Sequence, residues 1–305
     1  METLVQIASR PERPQPRPDW LRVRTPFGEN YHRLKQLARR LDLHTVCESA
    51  QCPNIGECWQ HHTATFMLLG NTCTRRCGFC AVPKGRPAAI DFGEPERVAE
   101  AVATLGLAHA VITSVNRDDD TLGGARVFAE TIRAIHRRLP RCGVEVLIPD
   151  FKGSEEALAI VLEAGPQILN HNTETVPSLY AFVRPGSRFL RSVQLLRNVK
   201  RLAPGMVSKT GLMLGLGETE AELRSTLEVL ASTGCDILTL GQYLRPSRQH
   251  LPVKRFVHPD EFARLKAVGL AMGFRHVESG PLVRSSYHAH DQAANVVQQR
   301  AACGS

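Results

Sequence analysis

The 305-residue chain has no run of about 18 apolar residues, so nothing in it reads as a membrane-spanning helix. Its opening stretch, METLVQIASRPERPQPRPDW, also lacks the apolar core and small-residue cleavage site of a secretory signal. Arginines there raise the alternative of a transit peptide, but Glu2, Glu12, Asp19 and the repeated prolines oppose an amphipathic leader. The expectation is a soluble, cytoplasmic protein with no membrane partner. Aromatic residues are scarce, 6% of the chain, and basic residues are spread along it instead of clustering, which argues against a nucleic-acid partner. No G-x-G-x-x-G turn marks a dinucleotide-binding fold. Nine cysteines, an odd number, without an export signal give little support to a disulfide framework.

What is present is a 43% hydrophobic composition, sufficient for one large core, and a formal net charge of +8 that would attract an acidic partner. The cysteines are clustered. Cys47, Cys52 and Cys58 form one triplet and Cys73, Cys77 and Cys80 a second, while Cys142, Cys235 and Cys303 stand apart, the first two as core residues and the last in a tail. Short separations let several thiolates meet at one centre with little loop-closure cost.

Residues 1–26 read as an extended Pro/Arg-rich arm and 27–63 as an N-terminal extension carrying the first triplet, with Leu34, Leu37 and Leu41 at helical spacing. From residue 64 to 280 a strand-then-helix pattern repeats. TFMLLG, HAVITSV, GVEVLIPDF, QILNHN, VSKTGLMLGL and DILTLGQYL are each followed by a helical segment. These strands are continuous apolar runs, as in a parallel sheet covered on its faces. The expected fold is α/β, a partial (βα)6 TIM-like barrel with N-terminal and C-terminal extensions, the latter a tail over 281–305.

Cys73-x3-Cys77-x2-Cys80 offers three thiolates in one loop with no fourth. Structural zinc favours four ligands and paired Cys-x2-Cys motifs, whereas a 4Fe-4S cubane held by three cysteines keeps one iron open. With Phe79 before the last cysteine, this loop resembles that of the radical S-adenosylmethionine (SAM) superfamily, in which the open iron chelates SAM. The resemblance extends to TSVNRDD, with Thr113 and Ser114 as candidates for the SAM amino group, and to GLMLGLGE, with Met213 near adenine. In NHNTET it implicates Asn170 and Asn172 at the ribose, with His171 as the one histidine expected near the site. Arg184 is a candidate contact to SAM or to the substrate amide.

The upstream triplet, together with NHNTETVPSLY, VRPGSRF, GQYLRPS and VRSSYHA, resembles the lipoyl synthase family from about residue 27 onward. There the resemblance implies an auxiliary 4Fe-4S cluster on Cys47, Cys52, Cys58 and a serine, Ser286 in preference to Ser285. A helix cap is the alternative role for either serine. Asn116 and Ser178 depart from the family's expected Asp and Arg, which touches the SAM loop and the substrate channel. The implied reaction is sulfur insertion at C6 and C8 of an octanoyl-lysine on a lipoyl carrier domain or the glycine cleavage H protein. Neither carbon has an acidic proton, so a radical is required, and the auxiliary cluster is the sulfur source. Implied partners include ferredoxin or flavodoxin as electron donor and an iron-sulfur carrier. The alternatives are another auxiliary-cluster sulfur inserter and, in a different class, a zinc-stabilised nucleic-acid-binding protein. A histidine metal site at His61 and His62 or at His288 and His290 is the remaining minor reading.

Overall fold

The apolar runs become strands buried on both sides. A computed structural model describes residues 16–22, 29–49, 52, 54–60, 64–287, 289 and 292, so most of the arm, the pairs His61/His62 and His288/His290, and Cys303 lie outside the described residues. After a helical turn at Asp19–Leu21 come α1 (Glu29–Arg40), β1 (His44–Thr45), α2 (Val46–Ser49) and α3 (Ile55–Gln60). The repeating part begins with β2 (Thr65–Leu68), α4 (Glu94–Leu105), β3 (His109–Ser114), α5 (Ala125–Arg138), β4 (Gly143–Leu147) and α6 (Glu155–Glu163). It continues with β5 (Ile168–Asn170), α7 (Tyr180–Val183), α8 (Phe189–Leu202), β6 (Val207–Leu214), α9 (Glu220–Ala231), β7 (Ile237–Gln242), α10 (Pro259–Ala271) and β8 (His276–Gly280).

The strands form one sheet in sequence order, parallel from β2 to β8, with β1 antiparallel at one edge. All six expected strand-helix units are present. Two edge strands, β1 and β8, are additions to the expected set: β1 is two residues long and β8, HVESG, is polar, so neither has the apolar run that marks a covered strand. The sheet does not close, and the extensions meet across the gap, where Asn54 Nδ2 donates to the carbonyl of Leu282 at 2.7 Å. Among the described residues no helix is long and apolar enough to cross a membrane.

Local signals place the helices. Thr219 and Glu222 form a reciprocal capping box at the start of α9, and Ser154 accepts from Ala157 N at the start of α6. At the floor of the barrel Lys209 Nζ lies 3.0 Å from Glu145 Oε1, both fully buried, and Asn170 Nδ2 donates to the same oxygen. Burial alone would raise the Glu145 pKa, but the Lys209 charge and then His109 bring it below the ordinary range. Removing one member of such a pair leaves a buried charge uncompensated, a cost of about 3–5 kcal/mol. Lys209→Met should therefore lower the urea midpoint of the cluster-free chain markedly, and the Lys209→Met/Glu145→Leu double variant should recover most of it; a single variant as stable as the parent would contradict this.

Candidate functional site

The second cysteine triplet occupies the loop between β2 and α4, at the C-terminal end of the barrel, where parallel barrels carry their functional loops. Four neighbours fix this loop through contacts to its backbone or to Cys73 Sγ. Asn116 N donates to Cys73 Sγ at 3.3 Å while its carbonyl accepts from Thr74 N and Oγ1. Gly78 N donates to the Val183 carbonyl, and its own carbonyl accepts from Leu251 N. His250 Nε2 donates to the Cys80 carbonyl at 3.1 Å. Because Asn116 acts through its main chain, the departure from Asp at that position leaves these contacts unchanged. Burial raises the thiol pKa of Cys77 and pushes Cys80 up to about 11, with the neighbouring cysteines adding to both. Any metal centre there must displace the protons of these thiols.

Arg75, inside this loop, is buried and locks it to the strand ends. Its Nε and Nη2 meet the two Asp118 oxygens at 2.8 and 2.9 Å, Nη2 reaches Asp150 at 2.6 Å, and Nη1 donates to Ser187 Oγ. Against the effect of burial, the Arg75 hydrogen bond holds Asp150 well below the usual carboxylate range. Around the loop lie polar atoms without partners among the described residues: Ser114 Oγ, Asn172 Oδ1 and Arg184 Nε. Arg184 is buried, and its Nη1 donates to the carbonyls of Asn172 and Thr173 and to the Tyr180 hydroxyl. Buried polar groups left unpaired are costly, so these orphans fit a site made for a polar ligand. Phe79 and Met213 share an apolar cluster with Leu216, Leu251 and Val253. The turn after Met213 is set by Glu218, whose carboxylate accepts from the amides of Gly215, Leu216 and Gly217. Gly215 has φ +92° and no room for a Cβ against the Arg255 carbonyl.

A second site lies beside the open edge of the sheet. Cys47, Cys52, Cys58 and Ser286 line one cavity with Asn54, Thr65, Arg284 and Tyr287. Ser285 is not among its lining residues. Burial, then the Cys52 charge, pushes the Cys47 thiol up to about 11. Burial lowers the pKa of the Arg284 guanidinium, which nonetheless offers Cys52 and Glu174 a compensating charge. A cubane needs donors spread around a larger centre, and three soft thiols with a hydroxyl are a donor set suited to it.

Residues 67–230 match the model of the radical SAM superfamily, and residues 6–52 match that of the N-terminal domain of lipoyl synthase. The fold is similar to that of methylornithine synthase, with a TM-score of 0.53 at 15% identity over 81% of each chain. A lipoyl synthase of Koribacter versatilis (strain Ellin345) is 65% identical over 97% of this chain and 97% of its own. The chain belongs to the lipoyl synthase family. A second lipoyl synthase, from Rubrobacter xylanophilus, is 60% identical over 90% of this chain and 86% of its own.

The residues singled out by the family resemblance differ in how they are engaged. Asn170 is fully buried with its Nδ2 on Glu145, and its Oδ1, like that of Asn172, has no partner among the described residues. Thr113 Oγ1 donates to the Leu147 carbonyl at 2.8 Å and keeps its lone pairs to accept from an amine, while Ser114 Oγ has no partner among the described residues. His171 points to the helix side, bonded to the Ile148 carbonyl and Ser192 Oγ, and burial pushes its pKa down to about 4. Strand alternation explains this: residues flanking it face the lumen, so it cannot. Ser178 is exposed and donates to Glu222 on α9. Glu174 was not singled out by sequence. It adopts φ +68°, rare for a residue with a side chain, and burial raises its pKa against the Arg184 and Arg284 charges. The positive φ at the end of a polar NHNTET strand is invisible in composition. Arg75 was missed as well, since its partners come from three distant loops.

Proposed function

We propose that the two triplets have separate roles: Cys73, Cys77 and Cys80 would hold the SAM-binding 4Fe-4S cluster, and Cys47, Cys52, Cys58 and Ser286 the auxiliary one. The observation that carries this division is the shared cavity of the three upstream cysteines and Ser286, which come from opposite ends of the chain. As a lipoyl synthase the chain is a radical SAM sulfurtransferase that inserts sulfur at C6 and C8 of a protein-bound octanoyl-lysine. When bound, SAM and the clusters supply a hydrogen-abstracting radical and the sulfur.

The chain's own residues bind and orient. Ser114 and Asn172, both with an unpartnered buried oxygen, are suited to the polar groups of SAM, and Arg184 to its carboxylate. Phe79 and Met213 supply an apolar wall for the adenine. Arg75 keeps the cysteine loop in register with the ends of β3 and β4 through Asp118 and Asp150. A lipoyl-domain substrate and a reductant are required; an octanoylated carrier domain or the glycine cleavage H protein, ferredoxin or flavodoxin, and an iron-sulfur carrier are the partners this reading favours.

Anaerobically reconstituted protein, given SAM, a reductant and an octanoylated carrier peptide, should yield deoxyadenosine and a dithiolated product by mass spectrometry. Deoxyadenosine without any sulfur transfer would reject the assignment. Ser286→Ala should cut dithiolated product by about 10-fold or more while deoxyadenosine persists, in line with the cost of lost metal-site support, and Ser285→Ala should resemble the parent. Equal effects of the two would leave the choice of Ser286 without basis.

A further inference from the structure

The exposed bases differ in how they are paired across the fold. On the helices that sheathe the barrel, Arg137 and Arg138 pair with Glu96, Arg224 with Glu228 and Arg264 with Glu220, while Arg197 and Lys266 stand apart from one another on α8 and α10 without a carboxylate among the described residues. At the C-terminal ends of the strands the balance differs. Arg76, Lys84, Arg86, Arg188, Arg248 and Lys254 are exposed there, and none has a carboxylate partner among the described residues. Of the acids in the same loops, Asp91 is paired with Arg97, Asp118 and Asp150 with Arg75, and Asp119 with Arg117, while Asp120 accepts from the amides of Leu122 and Gly124. In the short loops at the opposite end, Arg141 is the exposed base left without a carboxylate among the described residues, since Arg275 meets Asp236.

The same rim carries the most exposed large apolar side chains of the described residues. Leu190 is 77% exposed, Phe92 74% and Phe182 61%, against 46% or less for the others. Phe92 ends the cysteine loop, and Phe182 and Leu190 flank Arg188 in the connection after β5. Exposed apolar residues among uncompensated cations are the composition of a protein-docking surface, whereas single-stranded nucleic acid would call for an aromatic stacking series.

We propose that this rim is the docking face for the carrier protein, and that it takes an acidic surface surrounding the octanoylated lysine. The proposal rests on the assigned reaction, which requires the acyl chain to enter where the strands end. Opposite charges across such an interface speed encounter and fix orientation, and their effect weakens as salt shortens the Debye length to about 3 Å near 1 M.

The test uses the full chain with both clusters, a fluorescently labelled octanoylated carrier domain followed by anisotropy, and turnover of a short uncharged octanoyl-lysine peptide. Combining Arg86→Glu, Arg188→Glu and Arg248→Glu should weaken carrier binding by about 10-fold or more at low ionic strength and flatten its salt dependence. Peptide turnover should be unchanged. The charge-matched combination Arg141→Glu, Arg197→Glu and Lys266→Glu should leave carrier binding within about twofold of the parent. Equal weakening by both sets would overturn the proposal, because net charge alone would then explain binding. So would undiminished carrier binding by the rim variant, or a random-sequence DNA duplex that binds the parent more tightly than the carrier does and is released by the rim changes. Binding by the expected pattern with no turnover of the peptide would refute the assigned reaction and leave the docking face standing.

Discussion

Replacing Cys73, Cys77 or Cys80 with alanine is expected to abolish SAM cleavage. Each change leaves two thiols in a loop that has no fourth cysteine to substitute, so the cluster loses a ligand it cannot replace. The effect should exceed the roughly 10–100-fold that loss of a supporting contact costs a metal site, taking deoxyadenosine to background. The three positions should also be equivalent. Cys73 accepts from Asn116 N, Cys80 has its carbonyl on His250, and Cys77 lies between them beside Arg184, so none is peripheral to the loop. Measured as deoxyadenosine per chain after anaerobic reconstitution, with iron content determined on the same sample, substantial cleavage by any one variant would reassign this loop.

Much of this arrangement was legible before the fold was known, and the exceptions share a cause. The six strand-helix units are visible because a strand covered on both faces is rich in apolar residues without alternation, as in TFML and ILTLGQ, whose residues are buried throughout. The edge strands escape because an edge need not be apolar. Cysteine spacing reports chemistry directly, since few side chains substitute for a thiolate. Side-chain direction is different. Asn170, His171 and Asn172 are consecutive, yet the asparagines face the lumen and the histidine lies behind the sheet, which only the register of β5 against β4 and β6 decides. The Arg75 clamp is harder still, because Asp118, Asp150 and Ser187 are neighbours only after three strands have been laid side by side.

Alanine at Cys47, Cys52 or Cys58 is expected to have the opposite signature, with deoxyadenosine still formed and no lipoyl product. The two triplets are built on separate supports: the upstream one lies on α2 and α3 and is closed by the segment after β8, whereas the downstream loop is tied to the segments after β3 and β4 and to the β7–α10 connection. Removing a thiol from the cavity therefore leaves the Arg75 clamp and the Asn116 contact in place, and the orphaned groups around Ser114 and Asn172 remain available to SAM. What is lost is the sulfur source. Abstraction without capture should raise the ratio of deoxyadenosine to dithiolated product by about two orders of magnitude or more, as expected for loss of a ligand rather than of its support. Cys47 is the most informative of the three because it is the most buried, with its thiol against Trp59 and the Thr65 backbone, so Cys47→Ser retains much of the volume while changing the donor. If Cys47→Ser and Cys47→Ala both make dithiolane at the parental rate, the cavity is structural and the sulfur must come from elsewhere.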